Sequence, residues 1–311
     1  MTRAVVATAY GGPEVLRLVD VDPGRPGPAE VVLEVRAAGV NPADWKSYSG
    51  AWGTDPDKLP LRLGFEASGV VVAVGREVLD VEVGDEVIAY PVIGAYAGRV
   101  RVAATALVPK PSAMSWEKAG GIMVVGAAAA HALEVTGVGA GDTVLVHGAS
   151  GGVGAMVVQL AHAKGARVIG TAGPANHDYL TDLNATPVAY GPGLVERVRG
   201  VAPKGVTAAI DTVGTSEALD SSVALVSNRR RIATIAGFGR GAELGVQLLG
   251  NAVGADPGTA VRRAARPRLV RLWEAGALDV RVGATFHLAD AARAHRAGIE
   301  GRVQGKIVLL P

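Results

Sequence analysis

The sequence predicts a two-part α/β protein, a β-barrel domain followed by a doubly wound parallel sheet. Three observations predict it. From Met1 to about Ser115, short runs with alternating apolar residues, such as Val31-Val32-Leu33-Glu34-Val35-Arg36, are interrupted by glycine and proline turns. From about Trp116 to Asp256 the pattern changes to strands and helices in succession. The first of those strands, Thr143–His147, runs directly into Gly148-Ala149-Ser150-Gly151-Gly152-Val153-Gly154 and an apolar helix. A glycine turn that closes a buried strand and opens a helix is the context a dinucleotide site requires.

The succession after the turn reads as helix Val153–Ala163, strand Arg167–Thr171, helix His177–Leu183, strand Val206–Asp211, helix Glu217–Val226 and strand Arg231–Ala236. Parallel strands joined by helices give an open sheet covered on both faces. The tail continues as helix Thr259–Ala275, strand Val280–Gly283, helix Ala289–Gly298 and strand Lys306–Leu310. At the turn itself, a backbone without Cβ bends tightly and approaches a diphosphate held at the helix N-terminus. Ser150, Gly151, Gly152, Val153 and Gly154 are the expected contacts, in a Gly-x-x-Gly-x-x-Gly spacing that departs from Gly-x-Gly-x-x-Gly. The alternative at this point is a glycine-rich turn with no ligand.

Composition narrows the chemistry. The 311 residues suffice for two domains with their own cores. Hydrophobic residues make up 49% of the chain, but the uncharged apolar run from Gly120 to Ala130 is far shorter than a membrane span. No membrane or secretory segment is expected, and the chain reads as cytoplasmic. With no cysteine there is no thiolate-bound zinc, and the six histidines (131, 147, 162, 177, 287 and 295) show no metal spacing. No metal site is expected. A net charge of +2 gives no electrostatic case for nucleic acid.

Gly141 through Gly154 with Gln159-Leu160-Ala161 resembles the medium-chain quinone oxidoreductases, the zinc-free relatives of alcohol dehydrogenases that include zeta-crystallin. So do Gly39-Val40-Asn41-Pro42-Ala43-Asp44, Leu63-Gly64-Phe65-Glu66-Ala67-Ser68-Gly69-Val70-Val71, Asp211-Thr212-Val213-Gly214, Ile235-Ala236-Gly237 and Gly305-Lys306-Ile307-Val308-Leu309. The resemblance covers essentially the whole chain. It implies a GroES-like β-barrel domain of residues 1–115 and 257–311 around a Rossmann domain of residues 116–256, with the cofactor in the cleft between them. It adds Val213, Gly214, Ala236, Gly237, Phe238, Gly305 and Lys306 to the cofactor contacts. It further implies a homodimer through Gly245-Val246-Gln247-Leu248-Leu249. Where zinc-bearing relatives have Gly-His-Glu, this chain has Gly64-Phe65-Glu66.

An acidic residue about 20 positions past the glycines would bind the ribose 2′-hydroxyl of NAD. The segment Gly170-Thr171-Ala172-Gly173-Pro174-Ala175-Asn176 has none, which favours NADPH while leaving NADH possible. Thr171, Asn176 and Tyr190 are the candidate contacts. Against these stand a strand threonine, a helix cap and a packing aromatic.

At the reacting end, Asn41 corresponds to an asparagine that lines the nicotinamide pocket in the family. Lys46 stands where many relatives carry tyrosine, with Tyr48 two positions on. A desolvated lysine donates to an oxygen gaining charge, whereas a loop lysine stays solvated. Trp52 and Tyr90 are candidate walls of the substrate site. Ala128 and Ala130 replace the family's threonine and tyrosine, which widens the site. Arg262, Arg263, Arg266 and Arg271 form either a solvated helix face or a rim attracting an acyl thioester. The expected function is an NADPH-dependent, metal-free reductase of small quinones or α,β-unsaturated carbonyls. The alternatives are an enoyl-thioester reductase and a non-catalytic, crystallin-like NADPH binder.

Overall fold

Antiparallel strands build the first part of the chain in the computed structural model, which describes residues 1–311. β1 (Thr2–Ala7) pairs antiparallel with β2 (Leu16–Val21), and β3 (Glu30–Val40) follows. In β3, Leu33 and Val35 are buried while Arg36 points out, as in a half-buried strand. Next come α1 (Pro42–Tyr48), β4 (Leu61–Arg62), β5 (Ala67–Val74), β6 (Glu86–Ala89), β7 (Arg99–Ala103), β8 (Leu107–Pro109) and α2 (Trp116–Gly121). β3 pairs antiparallel with both β5 and β7, and β4 joins β1 on the side away from β2. α1 starts on Pro42, where a missing N–H costs the helix nothing.

The second part opens with α3 (Met123–Val135) and then alternates: β9 (Thr143–His147), α4 (Gly152–Ala163), β10 (Arg167–Ala172), α5 (His177–Asp182), β11 (Thr186–Ala189), α6 (Leu194–Val201), β12 (Ala208–Asp211), α7 (Ser216–Leu225), β13 (Ile232–Thr234), α8 (Phe238–Glu243), β14 (Gln247–Leu248) and α9 (Thr259–Glu274). Its six strands stand in the order β11-β10-β9-β12-β13-β14, every pair parallel. Val144, Leu145 and Val146 are fully buried, as expected of a central strand covered on both faces. The chain reverses direction across the sheet at β9, so the ends of β10 and β12 flank the glycine turn. This is the switch point where open sheets place ligands.

The tail supplies β15 (Val282–His287), α10 (Ala291–Ile299) and β16 (Lys306–Leu310). β16 pairs antiparallel with β3, so the tail joins the seven-stranded sheet that holds β3, β5, β6, β7 and β8.

The chain divides into two units, Met1–Val124 with Val280–Pro311, and Val125–Asp279. The divisions expected at 115/116 and 256/257 both lie further toward the C-terminus, for two packing reasons. α2 lies in the barrel unit: Ser68 Oγ donates to Trp116 O, and a Cβ at Gly120 would lie 2.7 Å from Ala37 O. α9 lies in the nucleotide unit: a Cβ at Gly126 would meet Leu269 at 2.7 Å, so the helices meet across a bare glycine. β11 and α6 lie outside the expected elements, although α6 buries an apolar stripe at Leu194 and Val198. The strand expected at Val280–Gly283 runs as Val282–His287 instead. No helix is long and apolar enough to cross a membrane.

Candidate functional site

The three spaced glycines of the turn each meet a different physical demand. Gly148 sits at φ +69°, where a side chain is strained, and a Cβ there would lie 2.5 Å from Val213 Cγ2. Gly154 lets α4 close onto the turn, since a Cβ would lie 2.1 Å from Gly148 O. At Gly151, the N-cap of α4, a Cβ would meet only Gly148 O at 3.3 Å, so its face is open. The next N–H groups of α4 have no partner within the helix and carry its positive end. The residues present fit a dinucleotide diphosphate: a bare open backbone at Gly151 at a helix N-terminus. Gly154→Ala is expected to lower stability by about 1–3 kcal/mol by overpacking, while Gly151→Ala stays within about 0.5 kcal/mol. Urea unfolding of the two variants checks this.

The loops after β12 and β13 are held by two buried side chains. Asp211 accepts from Val213 N (2.9 Å), Gly214 N (3.0 Å) and Thr234 Oγ1 (2.6 Å). Thr234 Oγ1 accepts in turn from Ala236 N (3.1 Å) and Gly237 N (2.9 Å). The expected contacts Val213, Gly214, Ala236, Gly237 and Phe238 are thus gathered at the same end of the sheet as the glycine turn. Gly173 and Tyr190 meet at the ends of β10 and β11, a Cβ at Gly173 lying 3.5 Å from the tyrosine oxygen. Tyr190 is exposed, which suits a contact better than packing. Asn176 does not cap α5 with its side chain, and its Oδ1 is buried without a partner. Thr171 is different: it is buried, and its hydroxyl faces Gly148 N and His147 rather than a ligand.

In the barrel unit, Lys306 Nζ lies 2.8 Å from Glu66 Oε1 and 3.0 Å from Val40 O, and it also bonds Asn41 Oδ1. Asn41 Nδ2 donates to Glu66 Oε1 (3.1 Å) and Gly39 O (3.2 Å), while Glu66 Oε2 accepts from Val124 N (2.9 Å). Two expectations change here. The Lys306 ammonium is buried in an ion pair with Glu66 rather than free for a cofactor. Asn41 is buried with both ends of its amide engaged, so it has no free group for an acceptor. Tyr48 is also displaced from its expected role. It is buried, and its hydroxyl bonds His295 Nδ1 at 2.7 Å, while Tyr96 bonds His295 Nε2 at 3.1 Å. Tyr96 continues to Asp44, whose carboxylate also accepts from Asn41 N (2.7 Å) and Gly64 N (2.9 Å). Burial pushes Asp44 up to about 7, and it pushes His295 down to about 4.

Lys46 remains. It is half-buried on the last turn of α1, its ammonium has no hydrogen-bond or ion-pair partner, and burial lowers its pKa. Trp52 is exposed and Tyr90 half-buried. Along α9, Arg263 and Arg271 are exposed, Arg266 is buried, and Arg262 Nε comes within 3.5 Å of His131 Nδ1. The arginines are therefore not a single solvated face.

Two family models match, the alcohol dehydrogenase GroES-like domain over residues 27–112 and the zinc-binding dehydrogenase over residues 152–254. The quinone oxidoreductase of Pseudomonas aeruginosa is 32% identical over 329 residues, covering 100% of both chains. The chain belongs to the quinone oxidoreductases of the medium-chain dehydrogenase/reductase family. Its parallel sheet is the family's Rossmann domain and its barrel the GroES-like one. Among solved structures, a mycobacterial protein complexed with NADPH aligns with a TM-score of 0.86 at 31% identity, covering 100% of both chains. An NAD-dependent alcohol dehydrogenase aligns at 0.87 and 31%, covering 99% of each.

The family model's name speaks of zinc, but the residues here do not fit one. The chain has no cysteine, Phe65 precedes Glu66, and the Glu66 carboxylate already holds the Lys306 ammonium.

Proposed function

We propose that this chain is an NADPH-dependent reductase that passes a hydride to a small quinone or α,β-unsaturated carbonyl. The observation that carries the reading is the open glycine turn at the switch point, with no carboxylate at the end of β10 to repel a 2′-phosphate. The NADPH bound by a mycobacterial relative and the name of the Pseudomonas relative support it. When bound, the nucleotide supplies the hydride. Gly151 to Gly154 seat its diphosphate, Tyr190 and Asn176 flank its 2′ end, and the loops held by Asp211 and Thr234 border its far half.

The acceptor oxygen gains negative charge as hydride arrives and needs a donor. Asn41 and Tyr48 are committed within the barrel, which leaves Lys46, whose pKa burial lowers, easing loss of its proton. Lys46→Met is expected to lower kcat by about 100-fold and to remove the basic limb of its pH profile, with the KM for NADPH unchanged. Unchanged kcat would remove Lys46 from the chemistry. A symmetric dimer through the sheet-edge strand β14 belongs to the same proposal, and sedimentation equilibrium measures it.

The deciding assay follows NADPH and NADH absorbance with an ortho-quinone, a para-quinone, a simple enone and an enoyl thioester. Quinone or enone turnover with NADPH preferred is the expected result. Thioester-only turnover replaces it with enoyl reduction, and binding without turnover replaces it with a binding role.

A further inference from the structure

The glycine turn is gripped from both sides by hydroxyl groups that the cofactor reading does not use. On the β12 side, Thr212 Oγ1 donates to His147 O at 2.7 Å, and Thr212 N reaches the same carbonyl at 3.2 Å. On the β10 side, Gly148 N donates to Thr171 Oγ1 at 3.3 Å, and Ala149 N donates to Thr171 O at 3.0 Å. Beneath them lies the buried imidazole of His147, with Nδ1 3.4 Å from Thr171 Oγ1 and Nε2 3.0 Å from Ser222 Oγ.

The direction of each bond follows from its neighbours. Ser222 spends its one proton on Ala218 O at 2.7 Å, so it accepts from His147 Nε2–H. His147 Nδ1 is then an acceptor, and it takes the Thr171 hydroxyl proton. That leaves the Thr171 lone pairs facing Gly148 N–H. A neutral His147 with its proton on Nε2 thus sets Thr171, and Thr171 sets the first amide of the turn. Burial favours that neutral form, with Asp211 and Glu217 opposing it.

We propose that Thr171, oriented by His147, is a positioning residue for the diphosphate of the bound dinucleotide: it fixes the height of the Gly148–Gly154 turn without touching the ligand. The proposal rests on the dinucleotide reading. The open face at Gly151 is set by Gly148, because Gly151 N donates to Gly148 O at 3.0 Å and Gly154 packs on that same oxygen. Freeing Gly148 N–H from Thr171 therefore moves the platform that receives the phosphates and leaves the 2′ end of the site in place.

Isothermal titration tests it with two probes, 2′-phospho-ADP-ribose, which carries the diphosphate, and adenosine 2′-phosphate, which does not. Thr171→Val keeps the side chain's shape and β-preference but removes the hydroxyl, while Thr171→Ser keeps the hydroxyl. Thr171→Val is expected to weaken the diphosphate probe about 10-fold and to leave adenosine 2′-phosphate within about twofold, as for loss of one buried hydrogen bond. Thr171→Ser should hold both probes within about threefold of wild type. Equal weakening of both probes by Thr171→Val, or weakening of neither, overturns the positioning role while leaving the cofactor reading intact. Wild-type protein that binds neither probe nor NADPH overturns the dinucleotide reading, and the positioning role falls with it.

Discussion

Lys306→Met is expected to cost about 3–5 kcal/mol of folding stability, the range found when one partner of a buried ion pair is removed. The substitution leaves the fully buried Glu66 carboxylate with Asn41 Nδ2 and Val124 N–H as its only donors. It also strips a donor from Val40 O and from Asn41 Oδ1, at the junction of β3 and α1. Three buried acceptors then lose a cationic partner at once. Lys306→Met combined with Glu66→Gln removes the stranded charge and is expected to recover more than half of the loss, because a neutral amide costs far less to bury. Urea unfolding of wild type, single and double variants reads both numbers. A single-variant loss below about 1 kcal/mol would show that the pair does not hold the barrel. The expectation that Lys306 contacts the cofactor predicts the reverse pattern, with stability kept and nucleotide affinity lost.

That contrast marks where the sequence is legible and where it is not. The roles of Gly148, Gly151 and Gly154 follow from local demands, namely a positive φ, an open face and a close helix-to-strand approach. Spacing within seven residues carries all three. Lys306, by contrast, meets Asn41 across 265 positions and Asn41 meets Glu66 across 25, so no local pattern announces the cluster. The family resemblance implies outward-facing work for Asn41 and Lys306, and the sequence offers Tyr48, two positions beyond Lys46, as a further candidate. Packing turns them inward. The missed residues did leave a signal. His147, Thr171, Asp211 and Thr234 are polar residues that close otherwise apolar runs at the carboxyl ends of parallel strands. A polar group there must find a buried partner, and the partners available are the loops that form the site. Read that way, the strand ends point to the clamp around the turn, although only the fold shows that β10 and β12 stand on either side of β9.

Acidification from pH 7.5 to pH 5 is expected to destabilise the nucleotide unit by about 2 kcal/mol and to leave the barrel unit nearly unchanged. His147 has its pKa lowered to about 4 from the ordinary 6.5. Below 6.5 the unfolded chain takes up a proton that the folded unit refuses, so stability falls as pH drops through that window and levels off near 4. The barrel unit holds two opposing groups. His295, also lowered to about 4, destabilises it in the same way. Asp44, raised from 3.8 to about 7, binds a proton in the folded state that the unfolded chain does not hold until far lower pH. Its contribution is present at low pH and is lost as pH rises toward 7, so across this window it offsets His295. Hydrogen exchange at β9 amides and at β5 amides, corrected for intrinsic rates at each pH, reads the two units separately. Asp44→Asn removes the offset, and the barrel unit should then lose about 2 kcal/mol on the same acidification, from His295 alone. Equal protection of β9 at pH 7.5 and pH 5 would mean that His147 takes up its proton in the folded state. The tautomer that sets Thr171 would then not be locked by burial.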